Sequence, residues 1–70
     1  MKLFITVLDQ HGGVDYSDTI DNYVGVIPRK GETLVYLRSV LDDHPVEAPI
    51  SDVKYYLQEN KVYVICRQIR

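Results

Sequence analysis

The sequence predicts an all-β fold, and three observations support that prediction. Residues 53–70 alternate apolar and polar side chains on both sides of a short polar break at residues 59–60, which is the pattern of a β-hairpin. Residues 2–8 form a nearly continuous apolar run, as in a strand inside a sheet. Residues 28–31 begin with proline and end with glycine, which suits a tight turn between strands.

The C-terminal hairpin commits one face of the chain to a core. A two-residue loop at 59–60 would place Tyr56 opposite Tyr63 and every inward apolar side chain opposite another. The predicted inward residues are Val53, Tyr55, Leu57, Val62, Val64 and Cys66. The predicted outward residues are Lys54, Tyr56, Lys61, Tyr63, Ile65 and Arg67. A slip of one residue would turn each side chain to the other face, so the register is well specified.

A short helix near 51–59 is the main alternative for the first half of the hairpin, and it would make the fold α+β. Ser51 and Asp52 are residues that commonly cap such a helix. The match of apolar faces across residues 59–60 favours the strand.

The N-terminal third is predicted to be one strand followed by a long loop. Residues 2–8 would be a central strand covered on both faces. Residues 9–22 contain Gly12-Gly13 and four aspartates, which favour turns over strand pairing. Residues 23–27 would then form a short second strand that ends before Pro28.

The middle of the chain offers one further strand. We expect a type I turn over residues 28–31 and a strand over residues 33–38. Leucines at 34, 37 and 41 leave a helix over 33–41 as the alternative. Residues 42–49 are predicted to be irregular, because Pro45 and Pro49 interrupt helices and strand ladders.

Size and composition indicate one small domain, residues 1–70. A chain of 70 residues buries only about 60% of its extended surface, so its stability should be marginal. Cys66 is the only cysteine; we expect a small buried apolar side chain in a reducing, cytoplasmic setting. The apolar run that ends at Leu8 is too short for an export signal or a membrane span.

The charge distribution argues against a general phosphate-binding protein. The net charge is −2. Basic character is confined to residues 54–70, where Lys54, Lys61, Arg67 and Arg70 outnumber Glu59. Proteins that neutralise many phosphates normally carry a clear basic excess.

No residue pattern predicts catalysis, a metal site or a cofactor. His11 and His44 have no cysteine or second histidine nearby, whereas zinc sites need three or four ligands at tight local spacing. The aspartates of residues 9–21 do not follow the alternating order of a calcium loop. Cys66 lies on the predicted core face, which is a poor place for a nucleophile. We therefore expect that the protein is not an enzyme.

The segment from Val24 to Ile69 resembles small bacterial and phage proteins that fold as an SH3-like barrel. The matching pieces are Pro28-Arg29-Lys30-Gly31-Glu32, Ile50-x-x-Val53-x-Tyr55 and Val62-Tyr63-Val64. The connection between Leu37 and Val53 is longer than in that pattern, and the aspartate-rich segment lies outside it. The resemblance implies a small SH3-like barrel of about five strands and a phage or mobile-element origin. It implies no activity, since many functions share this barrel.

The functional expectation is a non-catalytic interaction module. It would bind a protein partner, or itself, through the outward face of the hairpin or through a sheet edge. The predicted binding residues of the hairpin face are Lys54, Tyr56, Lys61, Tyr63 and Arg67. Exposed tyrosines ringed by cations suit protein partners. The same face could instead bind single-stranded nucleic acid. A third hypothesis makes Asp9, Asp15, Asp18 and Asp21 an acidic decoy for a nucleic-acid-binding protein.

Overall fold

A computed structural model describes residues 1–69 and contains five strands in one strongly curled sheet. The strands are β1 (Lys2–Leu8), β2 (Val14–Ile20), β3 (Thr33–Tyr36), β4 (Val46–Tyr56) and β5 (Lys61–Arg67). Their order in the sheet is β2-β1-β5-β4-β3. The curled sheet forms a half-barrel compatible with a small SH3-like barrel, so the predicted all-β class is confirmed. Arg70, one of the basic residues near the C-terminus, lies outside the described residues.

Strand β1 is central, as predicted, but only one of its faces is covered. It pairs antiparallel with β2 and parallel with β5. Leu3 and Val7 are buried, while Phe4 and Thr6 on the other face keep part of their surface in solvent. The apolar run therefore marks a central strand without a second layer above it.

The core lies on the concave side of the half-barrel. Its buried residues are Leu3, Val7, Tyr36, Ala48, Ile50, Val62, Val64 and Cys66. The two edge strands approach each other where the ring of Tyr16 on β2 stacks on the ring of Tyr36 on β3, with ring centres 4.7 Å apart. Side-chain contacts, and not strand pairing, bring the two edges together.

The prediction of a long connection over residues 9–22 is wrong, because β2 occupies its second half. Only residues 9–13 form the turn, in which the Asp9 carboxylate accepts hydrogen bonds from the backbone of His11 and Gly13 at 2.8 and 2.9 Å. Gly12 takes the positive φ of 89° that this turn needs. Pairing with β1 outweighs the low strand preference of the aspartates.

The predicted strand over residues 23–27 is also wrong; this segment is part of a loop. The Tyr23 hydroxyl donates to the carbonyl of Val26 at 2.6 Å, and the Tyr23 amide donates to the carbonyl of Met1 at 2.7 Å. These local bonds replace a strand ladder.

The turn after Pro28 lies one residue later than predicted. The Glu32 amide donates to the carbonyl of Arg29 at 3.1 Å, and Gly31 has φ of 94°. A positive φ at the third position of a turn is the geometry of type II rather than type I.

Strand β3 confirms the predicted strand over its first four residues but ends at Tyr36, so the prediction is wrong for residues 37 and 38. Residues 39–45 are irregular, as expected. The prediction that residues 46–49 are irregular is wrong, because β4 begins at Val46. The Ile50 amide donates to the carbonyl of Glu32 on the β3 side at 2.7 Å, so the nitrogen of Pro49 faces the opposite edge of β4. Pairing with β5 begins only at Ile50, and the proline therefore costs no ladder hydrogen bond.

The hairpin of β4 and β5 forms with a longer loop than predicted. Tyr56 pairs with Lys61 and Lys54 pairs with Tyr63, so the predicted register is wrong by two residues. A shift of two keeps every side chain on its face. The loop contains a 3₁₀ turn at Leu57–Glu59 and left-handed Asn60; this turn is all that forms of the alternative helix near 51–59.

Candidate functional site

The solvent-facing side of the sheet carries a stack of three aromatic rings, which we call the aromatic face: Phe4, Tyr56 and Tyr63. The rings of Phe4 and Tyr63 stack nearly parallel, with centres 4.6 Å apart and planes 9° apart. The ring of Tyr56 meets Tyr63 edge-on at 5.2 Å. Phe4 and Tyr63 are direct partners in the parallel β1–β5 pairing, while Tyr56 is diagonal to Tyr63 across the hairpin. Three strand residues thus form one continuous aromatic surface.

Lys61 lies between the two tyrosines of the aromatic face. Its ammonium is 5.3 Å from the ring centre of Tyr56 and 5.5 Å from that of Tyr63, which are distances for cation–π attraction. The same ammonium is 2.6 Å from the Glu59 carboxylate. This hydrogen bond raises the pKa of Lys61, so the side chain is held as a cation against the rings.

A second lysine repeats this arrangement at the edge of the aromatic face. The Lys2 ammonium is 5.5 Å from the ring centre of Phe4 and 3.6 Å from a carboxylate oxygen of Asp21. Lys54 is exposed and pairs with Tyr63 across the hairpin. The aromatic face is therefore bordered by three lysines, two of which are already paired with carboxylates.

The structure brings together four of the five predicted binding residues. Lys54, Tyr56, Lys61 and Tyr63 surround one another. Arg67 is exposed at the other end of β5, where it pairs with Leu8. Six residues of extended strand separate it from Lys61, a distance of about 20 Å, so Arg67 is not part of this cluster.

Sequence reasoning missed Phe4 and Lys2. Alternation along β1 places Phe4 opposite in direction to Leu3, which would have signalled an outward aromatic ring. The parallel pairing of β1 with β5 has no local sequence signal, because it joins residues from the two ends of the chain.

Two residues predicted to face the core lie mostly in solvent. Tyr55 is 56% exposed and Leu57 is 88% exposed. The sheet core ends at Val62, the pairing partner of Tyr55, and Leu57 belongs to the loop rather than the strand. The remaining inward predictions hold: Val62, Val64 and Cys66 are buried, and Val53 is partly buried.

A polar cluster closes the half-barrel on the side away from the aromatic face. Oxygen Oδ2 of Asp15 accepts hydrogen bonds from the Tyr36 hydroxyl at 2.7 Å, from Nε of Arg38 at 2.9 Å and from Nε2 of Gln68 at 2.9 Å. The hydrogen bonds from Tyr36 and Arg38 lower the pKa of Asp15. Burial, together with the bond to Asp15, raises the pKa of Tyr36. The cluster joins three distant parts of the chain.

The other aspartates of the predicted acidic loop are distributed rather than gathered. Asp9 stabilises the β1–β2 turn, Asp18 accepts from the Thr19 amide at 2.8 Å, and Asp21 pairs with Lys2. His11 and His44 are both exposed. Among residues 1–69, no three His, Cys, Asp or Glu side chains converge as ligands for a metal ion.

Cys66 is buried, as predicted, and it has no exposed surface. Burial raises the pKa of its thiol, which lowers the fraction of reactive thiolate. No helix within residues 1–69 has the length and apolar character needed to cross a bilayer.

Comparison of the chain with protein-family models, with curated proteins and with solved structures finds no match.

Proposed function

We propose that the protein is a non-catalytic interaction module that binds a protein partner, or a second copy of itself, through the aromatic face. The observation that carries this proposal is the stack of Phe4, Tyr63 and Tyr56 on the solvent side of the sheet. Tyrosine is enriched among residues that dominate binding energy, because its large flat ring contributes contact area and its hydroxyl can hydrogen-bond. Tyr56 keeps 43% of its surface in solvent.

Rigidity supports the same proposal. The rings project from adjacent paired strands, and Lys61 bridges two of them. Side chains that are already ordered lose little conformational entropy on binding. A partner with an apolar centre and acidic border would match the rings and the lysines around them.

We propose that this interaction takes place in the cytoplasm of a bacterial cell. The single thiol favours a reducing cytoplasm, and the resemblance to small phage and bacterial barrels favours a protein partner in a bacterial cell. We also propose that the half-barrel is related to the SH3-like barrels.

Adjacent tyrosines on opposite faces of β4 provide a matched test. Tyr56→Ala removes a ring from the aromatic face, while Tyr55→Ala removes a somewhat more exposed ring from the other side of the strand. Proteins captured from a bacterial extract by the wild-type chain should be retained by Tyr55→Ala and lost by Tyr56→Ala. Affinity for an identified partner should fall by about 30-fold, as expected for a hot-spot residue. Equal loss from both variants, or no specific capture by the wild type, would contradict the proposal.

Single-stranded nucleic acid is the second candidate for the aromatic face. Bases stack on exposed aromatic rings, and lysines attract the phosphates. Lys2 and Lys61 already have carboxylate partners, so phosphates would have to compete with Asp21 and Glu59; this makes nucleic acid the weaker candidate. Fluorescence anisotropy with labelled single strands should reveal binding that weakens steeply as salt rises. The absence of binding at low salt would remove this candidate. The acidic-decoy hypothesis stays a prediction, for which asparagine substitutions at the aspartates are the test.

A further inference from the structure

The apolar surface on the solvent side of the sheet continues beyond the aromatic face. Thr6 and Ile65 are partners in the β1–β5 pairing, two residues beyond the pair of rings that stack in the aromatic face, so they lie on the same side of the sheet. Leu8 occupies the next outward position of β1, and its partner on β2 is Val14, which is 64% exposed. We call the outward residues of the two central strands the outer stripe: Phe4, Thr6, Leu8, Tyr63 and Ile65.

Strand β1 has the composition of a strand that is covered on both faces, although the chain covers only one. Leu3 and Val7 are buried in the core, while Phe4 and Leu8 face the other way and keep part of their surface in solvent. Strands with apolar side chains on both faces normally lie between two layers of structure. The outer stripe is the place where such a second layer would pack.

Polar side chains limit the outer stripe to the width of two strands. Its neighbours on β2 are Ser17 and Thr19, and its neighbours on β4 are Asp52 and Lys54; all four are exposed. Two strands span about 10 Å, and the seven residues of β1 or β5 span about 23 Å. An α-helix is about 10–12 Å wide, and about 15 residues of it are 23 Å long. The stripe therefore has the dimensions of one helix.

The backbone pairing of β1 and β5 excludes an added strand at the outer stripe, because each of these strands is paired on both sides. An occupant must contact the stripe through side chains and satisfy its own backbone hydrogen bonds. A second sheet would be wider than the stripe and would meet the convex side of a strongly curled sheet. A helix that lies along the strands avoids both difficulties.

We propose that the outer stripe binds an amphipathic helix of a partner protein, laid along β1 and β5. The apolar side of this helix packs on the aromatic and aliphatic residues of the stripe, as in other complexes that seat a helix on an apolar surface. The helix supplies the second layer over β1.

The charges beside the stripe identify the polar flank of the helix as acidic. Among residues 1–69, neither Lys54 nor Arg67 forms an ion pair, whereas Lys2 and Lys61 have carboxylate partners. Lys54 pairs with Tyr63 across the hairpin, and Arg67 lies four residues beyond Tyr63 on β5, so about 13 Å separates the two cations along the strands. Acidic residues about two turns apart on one flank of the helix would meet both cations.

This inference rests on the proposed function, because the aromatic face is one end of the outer stripe. It adds the helical form of the partner, its acidic flank and a role for Thr6, Ile65 and Arg67, which lie outside the aromatic face. Variants at Arg67 and at Tyr56 therefore separate the two proposals.

The first experiment titrates the ¹⁵N-labelled chain with synthetic peptides of about 15 residues, the length that matches the stripe. One peptide has leucines along one helical face and glutamates beside them, a second has lysines in place of the glutamates, and a third has the first composition in scrambled order. The glutamate peptide should shift the amide signals of the outer stripe and gain helical circular dichroism as it binds. The lysine peptide should bind about fivefold more weakly or worse, and the scrambled peptide should not bind.

The second experiment reverses a charge at the far end of the outer stripe. Arg67→Glu should weaken binding of the glutamate peptide by about fivefold and strengthen binding of the lysine peptide. Arg29→Glu makes the same change at an exposed residue of the turn before β3 and should leave both affinities nearly unchanged. Circular dichroism checks that each variant is folded.

An outer stripe whose signals do not shift at about 1 mM glutamate peptide, a concentration that detects even weak binding, overturns the inference. Shifts confined to the open edges of β2 or β3 also overturn it, and show that the peptide adds to the sheet as a strand. A partner captured from extract that is lost by Tyr56→Ala and bound equally by Arg67→Glu overturns the inference and leaves the proposed function intact.

Discussion

At the scale of single residues, Asp15 links the two edges of the half-barrel through its hydrogen bonds. Its carboxylate accepts hydrogen bonds from side chains of β3, of the loop that follows β3 and of the segment after β5. The pKa of Asp15 is lower in the folded chain than its ordinary value. Stabilisation by a carboxylate of this kind is present above the unfolded pKa of about 3.9 and is lost as pH falls through the folded value.

Replacing Asp15 by asparagine should lower the free energy of unfolding by about 1–3 kcal/mol at neutral pH, because the buried Tyr36 hydroxyl and two more exposed donors lose a charged acceptor. It should also flatten the decline of stability below about pH 4. Urea unfolding at several pH values measures both effects. Asp43→Asn, at a side chain that is 92% exposed, is the matched control and should change stability by less than about 0.5 kcal/mol. An unchanged acid dependence in Asp15→Asn would show that the cluster does not control closure.

The role of Asp15 could not be predicted from the sequence. Its partners Tyr36 and Gln68 lie 21 and 53 residues away along the chain. An aspartate between glycines and other aspartates has the local pattern of a solvated loop. Only the approach of the two sheet edges makes it a partly buried acceptor.

At the scale of elements, alternation predicted the faces of strands much better than it predicted loops. The outward positions of β4 and β5 hold despite a register error of two residues, because the side-chain period is also two. The loop was predicted too short, since Leu57 continues the apolar alternation although it lies in the 3₁₀ turn. Strand β2 also has an alternating signal in Tyr16 and Ile20, which its aspartates and serine obscured.

The conformation of Asn60 gives a direct test of the hairpin loop. Asn60 has φ of 53° and ψ of 48°, a left-handed conformation that asparagine and glycine tolerate best. Asn60→Ala should lower the free energy of unfolding by about 1 kcal/mol, whereas Asn60→Gly should be close to neutral. Chemical unfolding followed by circular dichroism compares the two. Equal losses for alanine and glycine would mean that the asparagine side chain, rather than the backbone conformation, stabilises the loop.

At the scale of the whole molecule, the parallel pairing of β1 with β5 organises the fold. It places Phe4 beside Tyr63 on one face and Leu3 beside Val62 on the other, so the core and the aromatic face depend on the same contact. This pairing joins the two ends of the chain and has no short-range signature in the sequence. The two edge strands, in contrast, meet only through side chains near Tyr16 and Tyr36.

The reactivity of the Cys66 thiol measures how often β5 separates from the sheet. It lies on β5, between β1 and β4, and has no exposed surface. A thiol reagent can reach Cys66 only when β5 separates from its neighbours. The labelling rate of Cys66 in the native protein therefore equals its labelling rate in the unfolded chain multiplied by the fraction of molecules in which β5 is detached. For a stability of about 3–5 kcal/mol, Cys66 should react about 10²–10⁴ times more slowly in native buffer than in urea. Lys30→Cys places a second thiol on an exposed turn, where it should react at the unfolded rate and serve as an internal standard. Rapid native labelling of Cys66 with an unchanged circular dichroism spectrum would mean that β5 detaches locally, and then the aromatic face would not be the rigid surface that the proposed binding requires.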